Sequence, residues 1–267
     1  MDINQILEQC QIEYSSFKKV QGGNDSSVYQ VTGLDGSNFA LRILPLNRLS
    51  QFQWEAELIS MVREQNIPAP EVISVHAAGG YAVMLMEWVT GQTMLQALMD
   101  HPVKARQLGS EFGRVQALIH QIELPKPIVS SWLTPATDIE RELFNQINPT
   151  GQWLLHMDYH PLNVLTDGEK VTGVIDWINA SVGDRRFDMM RTLSIMQIDG
   201  PTITEIQEIL SDFLEGYRAG YEKIDDPLQH NHLFRFWAGN RMKRDLGQRL
   251  DENAIKRIDN WMGQNNE

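Results

Sequence analysis

The hydrophobic period of the chain changes once, near residue 92. Up to residue 87, short apolar runs alternate with turn residues; beyond 92, apolar residues recur every three or four positions. Such a chain is expected to fold as two parts of different character, joined where Glu87-Trp88-Val89-Thr90-Gly91 makes a single connection. In the first part Phe17 to Gln21, Val28 to Thr32 and Asn38 to Leu44 read as strands, with Leu34-Asp35-Gly36-Ser37 as the turn before the third. One helix interrupts them at 51–65, carrying Phe52, Glu55, Ile59 and Val62 on one stripe while Glu57 points elsewhere. PAP, the strand-like EVISVH, an AAGG turn and YAVMLM complete this part. Helices are then expected near 93–100, 103–121, 136–147, 186–197, 202–221, 228–247 and 252–263, around a β-rich island at 153–176. The expected class is α+β and bilobal: a small antiparallel-sheet N-terminal lobe over 1–87, a hinge at 88–91, and a larger, mainly helical lobe over 92–267.

Composition narrows the function. The 267 residues are 42% apolar and 22% charged, as in a folded chain rather than a disordered one. No run approaches the roughly 18 to 20 apolar residues of a membrane span. The N-terminal MDINQILEQC also lacks a basic region followed by an apolar run, so a cytoplasmic protein without a membrane partner is expected. Cys10 is the single cysteine, which excludes an intrachain disulfide and a cysteine-based zinc site. A formal charge of −12 argues against a broad surface for nucleic acid or anionic lipid.

The segment LLHMDYHPLNVLTDGEKVTGVIDW concentrates polar chemistry. His156-x-Asp158 is followed five positions after the aspartate by Asn163, and then by Asp176 beyond a hairpin turning at Asp167-Gly168-Glu169. Phosphoryl transfer asks for a carboxylate near the attacking hydroxyl and for oxygen ligands that hold Mg²⁺ against the phosphates. Asp158, Asn163 and Asp176 supply that inventory. Magnesium prefers hard oxygen donors and keeps several waters, so one amide oxygen and one carboxylate suffice, and neither His156 nor His160 need touch metal. The hairpin is expected to return Asp176 toward Asn163.

These residues resemble the aminoglycoside phosphotransferase and choline kinase superfamily. Its members share the protein-kinase-like fold and carry H-G-D-x-H-P-x-N, then I-D-W or I-D-F. Here the match runs through HMDYHPLNVL, VIDW and GDRRFD. The resemblance implies ATP as donor, Mg²⁺ as cofactor, Asp158 as the catalytic aspartate, and Asn163 and Asp176 as magnesium ligands. It also implies that His156, His160 and Asp188 support the catalytic loop. Two positions depart from the pattern. Met157 replaces the usual glycine and puts a larger side chain beside Asp158, and Arg185 stands where proline is frequent.

The N-terminal part offers its own candidates. Alternation along Phe39-Ala40-Leu41-Arg42-Ile43 leaves Ala40 and Arg42 on the face opposite the three apolar residues. Adenine would lie over Ala40 while the Arg42 guanidinium grips phosphate in two-pronged fashion. Glu55 is the expected partner of Arg42, because an unpaired carboxylate within a buried stripe is costly. The segment QGGNDSS resembles the family's phosphate-covering turn, with Gly22, Gly23 and Asn24 letting backbone N–H groups approach anionic oxygen. MLMEWVTG resembles its interlobe hinge, whose backbone near Glu87 and Val89 would meet the adenine edge.

Two other kinase architectures fit less well. Asp176 is followed by Trp177-Ile178 rather than Phe-Gly, and helical sequence resumes near 186, which leaves little room for a peptide-positioning segment. No G-x-x-x-x-G-K-[S/T] occurs. The acceptor is expected to be a small-molecule hydroxyl. Asp199, Glu205, Glu208, Asp212, Glu215, Glu222, Asp225 and Asp226, set against Arg218 and Lys223, suit an amine-bearing acceptor or else form solvated helix faces. Phe234 and Trp237 flank a ligand or pack a core. His120, His230 and His232 are open. The leading expectation is an aminoglycoside-like or other amino-sugar acceptor, with antibiotic resistance as the role. The alternatives are a metabolic kinase of choline, homoserine or methylthioribose type, or an inactive nucleotide-binding module.

Overall fold

Arg42, whose place on its strand the alternation of apolar residues predicts, lies within a sheet of five antiparallel strands. The structure, a computed structural model, describes residues 1–20, 26–124, 131–224 and 232–263. Gly22, Gly23 and Asn24, with His230, Asp225 and Asp226, lie outside the described residues. Contacts divide the chain into residues 1–90 with 172–178, and residues 91–171 with 179–267.

The first unit begins with α1 (Ile3–Gln9), followed by β1 (Tyr14–Val20), β2 (Ser27–Gly33), β3 (Asn38–Pro45), α2 (Leu49–Glu64), β4 (Val72–Ala78) and β5 (Tyr81–Glu87). The strand order is β1-β2-β3-β5-β4. The β2–β3 turn forms where expected: Gly36 takes φ +83° and the Asp35 carboxylate accepts the Ser37 amide at 2.9 Å. Leu41 and Ile43, with Phe39 against them, pack beneath α1 through Ile3, Ile6 and Leu7. The opposite face of β3 is therefore left to Ala40 and Arg42. The α1 helix was not expected. Its seven residues are too few to show a repeating period, although Asp2 caps its N-terminus and Ile3, Ile6 and Leu7 share a face.

Residues 172–178 group with this unit, whereas the sequence reading leaves them in the second. Their backbone explains why: Val174 N donates to Pro68 O and Thr172 Oγ1 donates to Thr90 O, each at 2.8 Å.

The second unit holds β6 (Gln92–Thr93), α3 (Met94–Asp100), α4 (Ala105–Ile119), α5 (Asp138–Gln146), β7 (Trp153–Leu155) and β8 (Val164–Thr166). After β9 (Val171–Val174) come β10 (Ser181–Gly183), α6 (Arg185–Ser194), α7 (Leu210–Glu222), α8 (His232–Leu246) and α9 (Glu252–Met262). β7 pairs with β10 and β6 with β8, both antiparallel. The helix expected over 202–221 starts only at Leu210. Before it, 3-10 turns run over Gly200–Thr202 and Thr204–Ile206, separated by Ile203, whose backbone is extended at φ −95° and ψ 104°. No helix among the described residues is long and apolar enough to cross a membrane.

Four glycines bring α4 and α7 together. A Cβ on Gly113 would lie 2.0 Å from Tyr217 O, and one on Gly220 would lie 1.9 Å from Ser110 O; Gly109 and Gly216 are as tightly opposed. Gly113→Val must push the helices apart, and an expected loss of about 1–3 kcal/mol follows from overpacking. The urea midpoint measures it, with Gly263→Ala as control, because the nearest atom to that Cβ is 3.5 Å away.

Side chains left open by sequence now have places. Phe234 and Trp237 are buried against Phe187, with ring centroids at 4.8 Å in each case, so they pack a core. Glu205, Glu208, Asp212, Glu215 and Glu222 are exposed, and Glu215 pairs with Arg106, as solvated helix faces do.

Candidate active site

The loop 156–163 leaves β7 and is gripped from behind by α6. Asp188, fully buried on that helix, accepts the backbone N–H of His156 through Oδ2 at 3.0 Å and that of Met157 through Oδ1 at 2.7 Å. One turn on, Thr192 Oγ1 donates to Tyr159 O at 2.9 Å. The loop is thus held by its backbone on both sides of Asp158. Burial pushes the Asp188 carboxyl up, but the His120 hydrogen bond, with contributions from His156, outweighs it and leaves the group below its ordinary value.

Met157 has φ +66°, a left-handed backbone that glycine adopts freely and methionine does not. The side chain is fully buried. The departure from H-G-D thus keeps the backbone shape that glycine would supply. Within the loop, Asn163 Nδ2 donates to Asp158 O at 3.0 Å and to Asp158 Oδ2 at 3.3 Å, and lies 3.2 Å from His160 Nε2. Those contacts orient the amide and make its oxygen the end available to a cation. His160 Nε2 lies 3.6 Å from Asp158 Oδ1. Burial raises the Asp158 carboxyl, yet His160, Arg191 and His156 together hold it below its ordinary value. Asp158 is therefore a carboxylate at neutral pH, able to accept a hydroxyl proton. The turn at Asp167-Gly168-Glu169 forms, with Asp167 Oδ1 accepting the amides of Glu169 and Lys170 at 2.9 and 2.7 Å.

In the first unit, Arg42 joins two carboxylates. Its NH1 donates to Glu55 Oε1 at 2.5 Å and its NH2 to Asp176 Oδ1 at 2.9 Å, with the guanidinium over the Phe52 ring. Glu55 is fully buried on the apolar stripe of α2. Burial works against the Arg42 charge, but Glu55 and Asp176 outweigh it and raise its pKa, so it stays a cation. Asp176 adopts φ +65°, which an aspartate tolerates better than most residues, and its side chain keeps 36% of its exposure.

Ala40 is half-buried and opposite Met86. Glu87 donates its own N–H to Glu71 O at 2.8 Å. A Cβ on Gly173 would sit 2.9 Å from Val89 Cγ1; a glycine that the sequence did not single out therefore sets where Val89 lies.

No cluster of three or more His, Cys, Asp or Glu suited to a metal occurs among the described residues. Asn163 and Asp176 each carry a hard oxygen donor, the type that magnesium takes alongside water and phosphate. The sequence reading missed Gln116, Thr192, Tyr217 and Tyr221 and left His120 open. All five are buried behind the loop, and only the spacing of Gln116 and His120 on one face of α4 hinted at it.

A model of a phosphotransferase enzyme family (APH) matches residues 16–152 and 139–229. Among solved structures, the aminoglycoside phosphotransferase APH(4)-Ia is similar at a TM-score of 0.69 and 17% identity, covering 99% of this chain and 98% of that one. The amicoumacin kinase hAmiN, in complex with AMP-PNP, Ca²⁺ and Ami, gives 0.68 and 16% over 98% and 92%. The macrolide 2′-phosphotransferase MphH from Brachybacterium faecium gives 0.59 and 15% over the whole of both chains. At these identities the likeness carries the fold, which is kinase-like as expected. No curated protein sequence matches the chain.

Proposed function

The chain belongs to the phosphotransferase enzyme family, and on that premise we propose that it moves the γ-phosphate of ATP, with Mg²⁺, to a hydroxyl of a small molecule. The observation that carries the reading is the loop itself: an ionised Asp158, fixed through its backbone by Asp188, with the Asn163 amide nitrogen turned toward it. Asp158 orients the acceptor hydroxyl and takes its proton. Asn163 and Asp176 hold the magnesium, which when bound neutralises the phosphate oxygens. Arg42, steadied by Glu55, meets the phosphates. Ala40 leaves room for adenine, whose edge meets the Glu87 carbonyl and the Val89 backbone. Gly22, Gly23 and Asn24 cover the phosphates. His156 and His160 support the loop, and the cytoplasm is the natural site for an ATP-dependent reaction.

For the acceptor we favour an antibiotic or amino-sugar hydroxyl. The printed names of similar structures support it: an aminoglycoside phosphotransferase studied with hygromycin B, an amicoumacin kinase and a macrolide phosphotransferase. The acidic faces around α7 do not, being solvated. A screen by coupled ADP release tests the reading with aminoglycosides, macrolides, choline, homoserine and methylthioribose. Mg²⁺-dependent turnover with an antibiotic supports it; a preference for choline, homoserine or methylthioribose selects the metabolic alternative. Mg²⁺-dependent ATP binding with no turnover across the panel means an inactive module.

Arg42 gives a quantitative check. A lysine ammonium cannot reach Glu55 and Asp176 from two arms at once. Arg42→Lys should therefore lose one charge-assisted hydrogen bond and weaken ATP affinity by about tenfold or more, read by calorimetric titration.

A further inference from the structure

Behind the loop, a buried hydrogen-bonded chain runs from α7 through α4 to α6. Tyr221 Oη lies 2.6 Å from His120 Nδ1, and His120 Nε2 lies 2.9 Å from Asp188 Oδ2. Asp188 in turn takes the N–H groups of His156 and Met157. Gln116 runs beside it: Tyr217 donates its hydroxyl to Gln116 Oε1 at 2.6 Å, and Gln116 Nε2 donates to Thr192 Oγ1 at 2.9 Å. His120, Gln116, Asp188, Tyr217 and Tyr221 are all fully buried. A network so enclosed is stable only when each member keeps its partners, and it then admits one arrangement.

Its charge and direction converge on Met157. Asp188 Oδ2 already accepts the His156 N–H and can only accept, so the tautomer that satisfies the chain has the proton on His120 Nε2, donated to Asp188, and the Tyr221 hydroxyl donating into Nδ1. Asp188 Oδ1 then faces the Met157 N–H, in the one residue of the loop 156–163 with a positive φ, +66°. Glycine would reach that backbone unaided. Methionine has to be held there.

We propose that His120 is a positioning residue that acts through Asp188 to keep Met157 in its left-handed backbone, and that the chain depends on His120 because residue 157 is not glycine. The functional consequence rests on the reading of Asp158 as catalytic; the clamp itself does not. If it lapses, Met157 relaxes toward negative φ and Asp158, the next residue, turns away from the acceptor hydroxyl. The proposed ATP contacts at Ala40, Arg42, Glu87 and Val89 lie outside the loop and are spared.

The test is a cycle of His120→Phe and Met157→Gly in the full chain. His120→Phe removes both ring nitrogens while keeping an aromatic ring, and should lower kcat by about tenfold or more with KM for ATP nearly unchanged. His120→Gln, whose amide can replace the Nε2 donor, should recover most of the loss. In the double variant Met157→Gly should recover kcat as well. Tyr221→Phe and Met157→Asn provide the same cycle in gentler form if the first pair does not fold, since asparagine also tolerates a left-handed backbone. Amide hydrogen exchange at His156 and Met157 gives a second readout without turnover: His120→Phe should speed it, and Met157→Gly should slow it again. The same kcat loss with and without Met157→Gly, or unchanged exchange in His120→Phe, would overturn the proposal. Full turnover in Asp158→Asn with the expected exchange pattern would instead overturn the catalytic reading and leave the clamp standing.

Discussion

Asp158→Asn is expected to lower kcat by about 10² to 10⁴-fold while leaving ATP affinity nearly intact, the loss typical of a positioned base. The loop should survive the change, because Asp188 holds it through the N–H groups of His156 and Met157, and Asn163 also binds the Asp158 backbone carbonyl. What disappears is the carboxylate kept ionised by His160, Arg191 and His156 against the effect of burial. An amide cannot accept the acceptor proton. Steady-state rates and calorimetric ATP titration of the same preparation separate the two effects. A parallel fall in affinity and rate would show that Asp158 serves nucleotide binding.

Asp176→Ala should behave differently, lowering both the rate and magnesium-dependent nucleotide binding by about a hundredfold or more. Asp176 has two jobs open to it. Oδ1 accepts from Arg42, and the carboxylate retains enough exposure to meet an ion as well. Removing it deletes a hard oxygen ligand and frees one arm of Arg42. Nucleotide binding without magnesium should consequently fall little, while the magnesium concentration needed for half-maximal rate rises. An unchanged magnesium requirement would remove Asp176 from the metal.

What could be read from sequence was what depends on local pattern. The stripe Phe52, Glu55, Ile59 and Val62 placed Glu55 inward, and the period of two along β3 placed Arg42 opposite the apolar face; the structure brings those two residues to 2.5 Å. The order His156, Asp158, Asn163 likewise marked the loop. Other features depend on partners far away in sequence. His120 meets Asp188 and Tyr221 across separations of 68 and 101 residues, which no period along the chain reports. The glycines of α4 and α7 repeat at steps of four, yet only packing shows that each faces the other's backbone. Charge count misled for a related reason. Acidic residues near α7 suggest an amine pocket when tallied, but their exposure places most of them in solvent.

Helix boundaries erred where the backbone departs from the apolar periodicity. The extended backbone at Ile203 interrupts the pattern read from 202, and α1 escaped because seven residues capped by Asp2 offer two turns and no repeat. Met157 is the most informative departure. As a residue type it puts a larger side chain beside Asp158; its φ shows that the loop keeps the glycine-like backbone, which a buried clamp holds in place.

The proposed reaction is the transfer of phosphate to a small-molecule hydroxyl through Asp158. Mass spectrometry of the acceptor after incubation with ATP and Mg²⁺, run on the unaltered protein and on Asp158→Asn, tests it most directly. An acceptor heavier by one phosphate is expected with the unaltered protein, and almost none with the variant even though it still binds nucleotide. Equal amounts of phosphorylated acceptor from both proteins would contradict it.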